Sequence, residues 1–303
     1  MHTNIFIVGS ADDVAALTTA LQSDLAVGTV TISSSDELPD QASSARQHLV
    51  IALAAPGDEV PGTDSAHDVV DVRMHPVDDP DLTTVLGRIR DLHTNIGNRR
   101  LPPDTPPRIA PYDEQWPAAA RRVSARILAA LGPMHASVDH VGSTSVPGLA
   151  AKDIVDLQVN VAALDEFDGR EAALLAAGFV NVQRLAPDAP GVMVDNPRGR
   201  AEEGARWHKR LYAGADPGCR VIVHVREVGS PGWRYALLFR DWLTAEIAPR
   251  NDYEDLKRAL AQAHADDSNF DAYARAKEDW FNQAYRASEI WAANSGWTPG
   301  RLP

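Results

Sequence analysis

The stretch His140–Val161, HVGSTSVPGLAAKDIVDLQVNV, decides how this chain is read. A turn, Gly142-Ser143-Thr144-Ser145, is followed by small residues, then Lys152, then a run that alternates from about Asp156. Successive side chains of a strand point to opposite faces, so Leu157, Val159 and Val161 share one face while Asp156, Gln158 and Asn160 share the other. A half-buried strand of this kind turns its polar trio toward a cleft. Flexible backbone and hydroxyl groups in the turn before it suit phosphate oxygens.

The same alternation recurs in RVIVHVREV, Arg220–Val228, where Val221, Val223 and Val225 oppose Ile222, His224 and Arg226. Two neighbouring strands showing polar side chains on one side make a site. His224, with a reference pKa near neutrality, is a candidate acid or base there; the alternative is a hydrogen-bonded histidine beside a cleft. His140 stands before the turn, where it is expected to brace the loop.

Working outward, the 303 residues allow two units of ordinary size. The only cysteine, Cys219, excludes an internal disulfide and a thiolate-rich zinc site. MHTNIFIVGS lacks the basic start and apolar core of a signal peptide, and no run is long and apolar enough for a membrane helix, so a cytoplasmic protein with no membrane partner is expected. A net charge of −13 argues against a general nucleic-acid binder. Its distribution is uneven: residues 1–95 hold 15 acidic and 4 basic side chains, residues 96–303 hold 27 and 25. Arg198, Arg200, Arg206, Lys209, Arg210, Arg220 and Arg226 form a local basic cluster beside Glu202, Glu203 and Asp216. Such a cluster suits a compact anion, and reads equally as a solvated loop face.

The resulting division is an acidic α/β unit over 1–95, a proline-rich linker over 96–116 and a second domain over 117–303. In the first unit IFIVGS, VGTVTIS, HLVIALAA and DVVDVRM read as strands, with helices over ADDVAALTTALQ and PDLTTVLGRIRDLHTNI, implying a small and largely parallel sheet. Gly9-Ser10 follows the first strand, but GxxxxGK[ST] is absent and Asp12 and Asp13 would repel phosphate, so an ordinary turn is expected. An acidic unit without chemistry of its own can contact a protein partner. In the second domain, α+β with a mixed sheet and C-terminal helices, helices are expected from Pro117, over Asp168–Ala177, over SPGWRYALLFRDWLTAEI, over Asp252–Ala265 and from Asn269. FVNVQRL reads as a strand and 186–219 as irregular. Phe270, Tyr273, Trp280, Phe281 and Tyr285 at helical spacing read as core.

The residues His140 to Asp156 resemble the signature of the GrpB family, whose fold is of nucleotidyltransferase type. The likeness extends over roughly 106–296, through Trp207-His208-Lys209-Arg210, the His224 strand, Leu237–Trp242 and Lys277. It is similar also to the C-terminal extension of actinobacterial dephospho-CoA kinases, down to RIAPYDEQWP in the linker. In those fusions a P-loop kinase stands where residues 1–95 stand here; without that loop, no dephospho-CoA kinase activity is expected.

The resemblance implies a divergent nucleotidyl or phosphoryl transferase acting on a small molecule, or a non-catalytic module binding a nucleotide or CoA-like ligand. Gly142, Ser143, Thr144, Ser145, Lys152, Gln158, His208, Lys209, Arg210 and Lys277 become the expected phosphate or nucleotide contacts. Transferases of this fold place two carboxylates two residues apart on a strand, and often a third on a neighbouring one, to hold two Mg²⁺ ions. Asp156 matches the first, but Gln158 and His224 stand at the others, poor ligands for a hard cation. One Mg²⁺ on Asp156 is the most this set implies, with Asp156 and His224 as the catalytic pair.

Overall fold

The computed structural model describes residues 3–24, 30–35, 37, 39–53, 70–74, 81–198 and 207–300. Strands β1 (Thr3–Val8), β2 (Val30–Ser35), β3 (Leu49–Leu53) and β4 (Val72–Met74) form one sheet in the order β2-β1-β3-β4, every pair parallel. Helices α1 (Ala11–Asp24) and α2 (Asp81–Asn98) belong to the same unit. The strand LVIAL of β3 is buried at all five positions, the pattern of a parallel strand covered on both faces. Ser10 closes the turn after β1 as a helix cap: its hydroxyl accepts the Asp13 N–H at 3.3 Å and donates to the Asp13 carboxylate at 2.6 Å. Parts of three expected strands (27–29, 54–55 and 68–69) lie outside the described residues, as do Arg200, Glu202, Glu203 and Arg206 of the basic cluster.

The second sheet has the order β5-β6-β9-β8-β7, built from β5 (Ser137–Val141), β6 (Val155–Val161), β7 (Phe179–Asn181), β8 (Arg210–Gly214) and β9 (Val221–Glu227). Central strands β6 and β9 run parallel and the other pairs antiparallel, a mixed sheet. Helices α3 (Gln115–Leu131) and α4 (Glu171–Ala176) accompany it, and α5 (Pro231–Ala245), α6 (Ile247–Ala263), α7 (Asp271–Arg275) and α8 (Glu278–Ser295) follow. The core forms where α3 meets the apolar face of the sheet, around Trp116, Val123, Ile127, Leu157, Val159 and Val223. Ser230 caps α5 by accepting the Trp233 N–H, and Pro231 fills the first helical position, where its missing donor costs nothing.

Several local expectations give way. Two strands were not foreseen: β5, an edge strand of mixed polarity, and β8, inside the segment read as irregular. FVNVQRL is strand only to Asn181 and then turns helical over Val182–Leu185. The helix expected over Asp168–Ala177 opens with a 3-10 turn at Asp168–Arg170. The last helix is two, α7 and α8, and the break leaves Lys277 at the N-cap of α8.

The two sheets are joined by specific contacts. Arg88 on α2 grips Asp216 through Nε and Nη2 at 2.8 and 2.6 Å. Asn95 donates to Ala215 O at 2.9 Å, and Asp71 receives Arg122 and Arg126 at 3.3 Å each. His48 accepts the Asn4 N–H on Nδ1 and donates from Nε2 to Ala176 O at 2.7 Å. Burial above all lowers its pKa to about 4, so a neutral ring makes both bonds. Among the described residues, no helix is long and apolar enough to cross a membrane.

Candidate functional site

Register across β6 and β9 pairs Asp156 with Ile222 and Gln158 with His224, so the two polar faces coincide as their alternation predicts. The turn after β5 completes one wall. Gly142 has φ 72°, and a Cβ there would come within 2.5 Å of Asp156 Oδ2, so only glycine lets the backbone run this close to the carboxylate. Thr144 is buried, accepting from His140 Nε2 at 3.0 Å and donating to Ile154 O at 3.3 Å. Ser145 donates to Gly142 O at 2.6 Å. These two hydroxyls therefore hold the turn in shape, with His140 as its brace. Ser143 instead faces the cavity, where the Tyr253 hydroxyl bonds to it.

The cavity has a volume of about 410 Å³ and is lined by Gly142, Ser143, Lys152, Asp156, His224 and Lys277 of the expected site residues, and by Arg198 and Arg226 of the basic cluster. Three lysines converge on it: Lys152 before β6, Lys257 on α6 and Lys277 at the start of α8. None pairs with a carboxylate among the described residues. Each lies over aromatic rings instead, with Nζ of Lys152 3.6 Å from the Phe270 centroid, Lys257 4.7 Å from Tyr253 and Lys277 4.5 Å from Tyr273. Lys257 also donates to Ala150 O. Burial pushes Lys152 and Lys257 down to about 7, each lowered further by Lys277. It lowers Lys277 to about 8, with Asp156 acting the other way.

Aromatic side chains assigned to the core serve two purposes. Trp280 stacks on Tyr253 at 4.4 Å and 18° and, partly buried like Phe281, packs against the cluster of Phe239 and Trp242. Phe270, Tyr273 and Phe281 line the cavity as well, giving it apolar walls around the ammonium groups.

A second charged network shares the cavity wall with Asp156, through Asp195, His224 and Arg226. Asp195 binds Arg226 at 2.7 and 2.9 Å and Lys209 at 2.7 Å. Burial alone would raise its pKa, but the charges of Arg226 and Lys209 hold it well below the usual carboxylate range. Lys209 is buried and lies 3.3 Å from His224 Nδ1, which takes its N–H. Burial, then Lys209 and Arg226, press His224 to about 4. The ring is therefore neutral, with its proton on Nε2, 3.7 Å from Asp156 Oδ1. Neither nitrogen then offers a free lone pair to a substrate.

Other expected contacts lie away from the cavity lining. Gln158 is fully buried, accepting Arg226 Nη1 at 2.8 Å and donating to Asn160 at 3.2 Å. His208 is exposed, and Arg210 is paired with Asp168 at 2.6 and 2.7 Å. Thr144, Ser145, Gln158, Lys209 and Arg210 are thus committed to protein partners. A pair of Mg²⁺ ions needs several hard oxygen ligands, and Asp156 is backed by an occupied amide and a neutral imidazole. No group of three His, Cys, Asp or Glu residues able to hold a metal occurs among the described residues. The donor set does not fit a two-metal centre.

Lys257, Tyr253 and Asp195 were not anticipated. Tyr253 and Lys257 stand four apart on α6, a spacing that puts them on one helix face and carries some signal. Asp195, in an irregular loop, carries none.

The family model GrpB protein matches residues 106–287. The chain is 41% identical over 221 residues to a dephospho-CoA kinase of Mycolicibacterium paratuberculosis, covering 70% of this chain and 53% of that protein. A dephospho-CoA kinase of Mycobacterium tuberculosis is 38% identical over 218 residues, with 70% and 53% covered. This chain thus spans about half the length of these relatives. A UPF0157 protein of Streptomyces coelicolor is 39% identical over 171 residues, covering 56% of this chain and 78% of that one. Among solved structures, a conserved protein GrpB from Enterococcus faecalis aligns with TM-score 0.49 and 23% identity, covering 61% of this chain and 99% of that one. The chain belongs to the GrpB family.

Proposed function

We propose that the cavity binds the phosphate end of a small nucleotide-like or CoA-like molecule, and that lysine ammonium groups rather than bound metal ions neutralise its charge. One observation carries this reading: Lys152, Lys257 and Lys277 meet around one cavity, Lys257 buried and the other two half-buried, with no carboxylate in ion-pair range of them among the described residues. Burying a charge without a partner is costly, and an anionic ligand supplies the partner. Ser143 offers a hydroxyl beside them, and Phe270, Tyr273 and Phe281 offer apolar faces to a ring or arm. A volume of about 410 Å³ is within the range of small-molecule sites. Relatives named dephospho-CoA kinase support a ligand of the CoA class, since the match to this chain covers part of each.

A second reading, nucleotidyl or phosphoryl transfer, is favoured by Asp156, which keeps a carboxylate in the cavity near Lys277. There it can orient a hydroxyl nucleophile. The test is a thermal-shift panel of the chain with nucleoside triphosphates, coenzyme A and dephospho-CoA, in Mg²⁺ and in EDTA. A ligand at a hundred times its dissociation constant adds about 2.7 kcal/mol, a readily seen shift. A shift that survives EDTA and vanishes in Lys277→Met supports the binding module. A shift that needs Mg²⁺ and vanishes in Asp156→Ala favours the transferase, and no shift with any of them refutes both.

A further inference from the structure

A second cavity, of about 640 Å³, adjoins the first and shares Lys152, Ile154 and Phe270 with it. Three segments distant in sequence make most of its walls, and Ala265 and Phe270 complete them. The linker supplies Pro106, Pro107 and Arg108, the turn before β9 supplies Pro217 and Arg220, and Lys152 to Ile154 form the side toward the first cavity. Each segment is fixed. Ala110 and Ala151 exchange backbone hydrogen bonds of 2.8 and 3.0 Å, and Arg220 binds Pro103 O at 2.9 Å and Asp104 at 3.1 Å. The turn is clamped from the first unit. Asp216, gripped by Arg88, also accepts the Gly218 N–H at 2.9 Å. A Cβ at Gly218 would stand within 2.2 Å of Arg88 Nε, so Arg88 lies flat on the turn.

The charge balance of this lining is positive. Arg108, Lys152 and Arg220 face Asp153, whose Oδ1 already accepts the Trp116 indole N–H at 2.8 Å. Asp104 neutralises Arg220, while Arg108 is exposed and makes no ion pair among the described residues. Prolines and Phe270 make the remaining wall apolar.

We propose that this second cavity binds a second small molecule, an organic anion with a carboxylate or phosphate group and an apolar body. The anionic group meets Arg108 and Lys152, and the body lies against the prolines and Phe270. Lys152 thereby serves both ligands, a point that rests on the reading of the first cavity given above. The clamp of Arg88 on Asp216 gives residues 1–95 a positioning role: they hold one wall of the second site.

The experiment is equilibrium dialysis of the full chain against phenyl phosphate and, separately, benzoate, with circular dichroism to confirm that each variant is folded. Two sites for phenyl phosphate are expected. Lys277→Met removes one, Arg108→Ser weakens the other at least fivefold, and Lys152→Met weakens both. An Arg108-sensitive site for either probe supports the proposal. A single site, lost in Lys277→Met and indifferent to Arg108→Ser for both probes, overturns it while the first cavity stands. A site sensitive to Arg108→Ser alone upholds it and sinks the reading of the first cavity, and no binding of either probe overturns both.

Discussion

Raising the pH from 7 to 9 should weaken phosphate binding in the first cavity by at least tenfold. Lys277 sits at about 8 and Lys152 and Lys257 at about 7, because burial disfavours their charged forms. A bound phosphate favours the ammonium, so affinity follows the protonated fraction of the free protein. For Lys277 that fraction falls from about nine-tenths at pH 7 to about one-tenth at pH 9, a loss of about 1.4 kcal/mol. A requirement for a proton on Lys152 adds a further loss of roughly fiftyfold over the same interval. The ligand does not compensate, since a phosphate monoester loses its last proton near about pH 6 and keeps a constant charge above pH 7. The assay is titration calorimetry of phenyl phosphate at pH 7, 8 and 9 in buffers of different ionisation enthalpy, which also counts protons taken up. Affinity that is flat or tighter at pH 9, or binding at pH 8 without proton uptake, would mean that these lysines do not carry the charge that holds the phosphate.

The unliganded protein should respond in the opposite direction. The folded pKa values of these lysines lie below their unfolded value of about 10.4, so between pH 7 and 10 the unfolded chain binds more protons and stability rises with pH. A urea midpoint that falls between pH 7 and 9 would contradict this. Asp195→Asn should cost roughly 3 kcal/mol, because it leaves Lys209 and Arg226 buried without their shared countercharge. Urea unfolding measures it, and a loss under about 1 kcal/mol would mean the network is better solvated than its burial implies. Gly142→Ala should cost about 1–3 kcal/mol through its positive φ and the collision with Asp156, read as a lower midpoint of thermal unfolding.

The strand Val155–Val161 and its neighbour Val221–Glu227 were legible because alternation is a property of adjacent residues, and their parallel pairing put the two polar faces together. The Gly-Ser turn was legible as a turn. Its division of labour was not, since whether a hydroxyl faces ligand or backbone depends on what packs beneath it, and Thr144 and Ser145 face backbone. Strand β8 was hidden because Arg210–Gly214 gains its strand character from pairing with β9, more than from its own pattern. Gln158 looked like a ligand contact in sequence and is a buried partner of Arg226.

Residue order alone was enough for the α/β unit followed by an α+β domain with a mixed sheet, and for the polar face on which Asp156 stands with the amide of Gln158 and the imidazole of His224. These are statements about residue type and short-range order. Only the tertiary structure decided that Lys152, Lys257 and Lys277 meet around one cavity, that His224 is neutral, and that Arg88 braces a second cavity from the far unit. The reason is physical: a lysine's charge state is set by the water it loses on burial, and that loss comes from helices and strands packed against it from far along the chain.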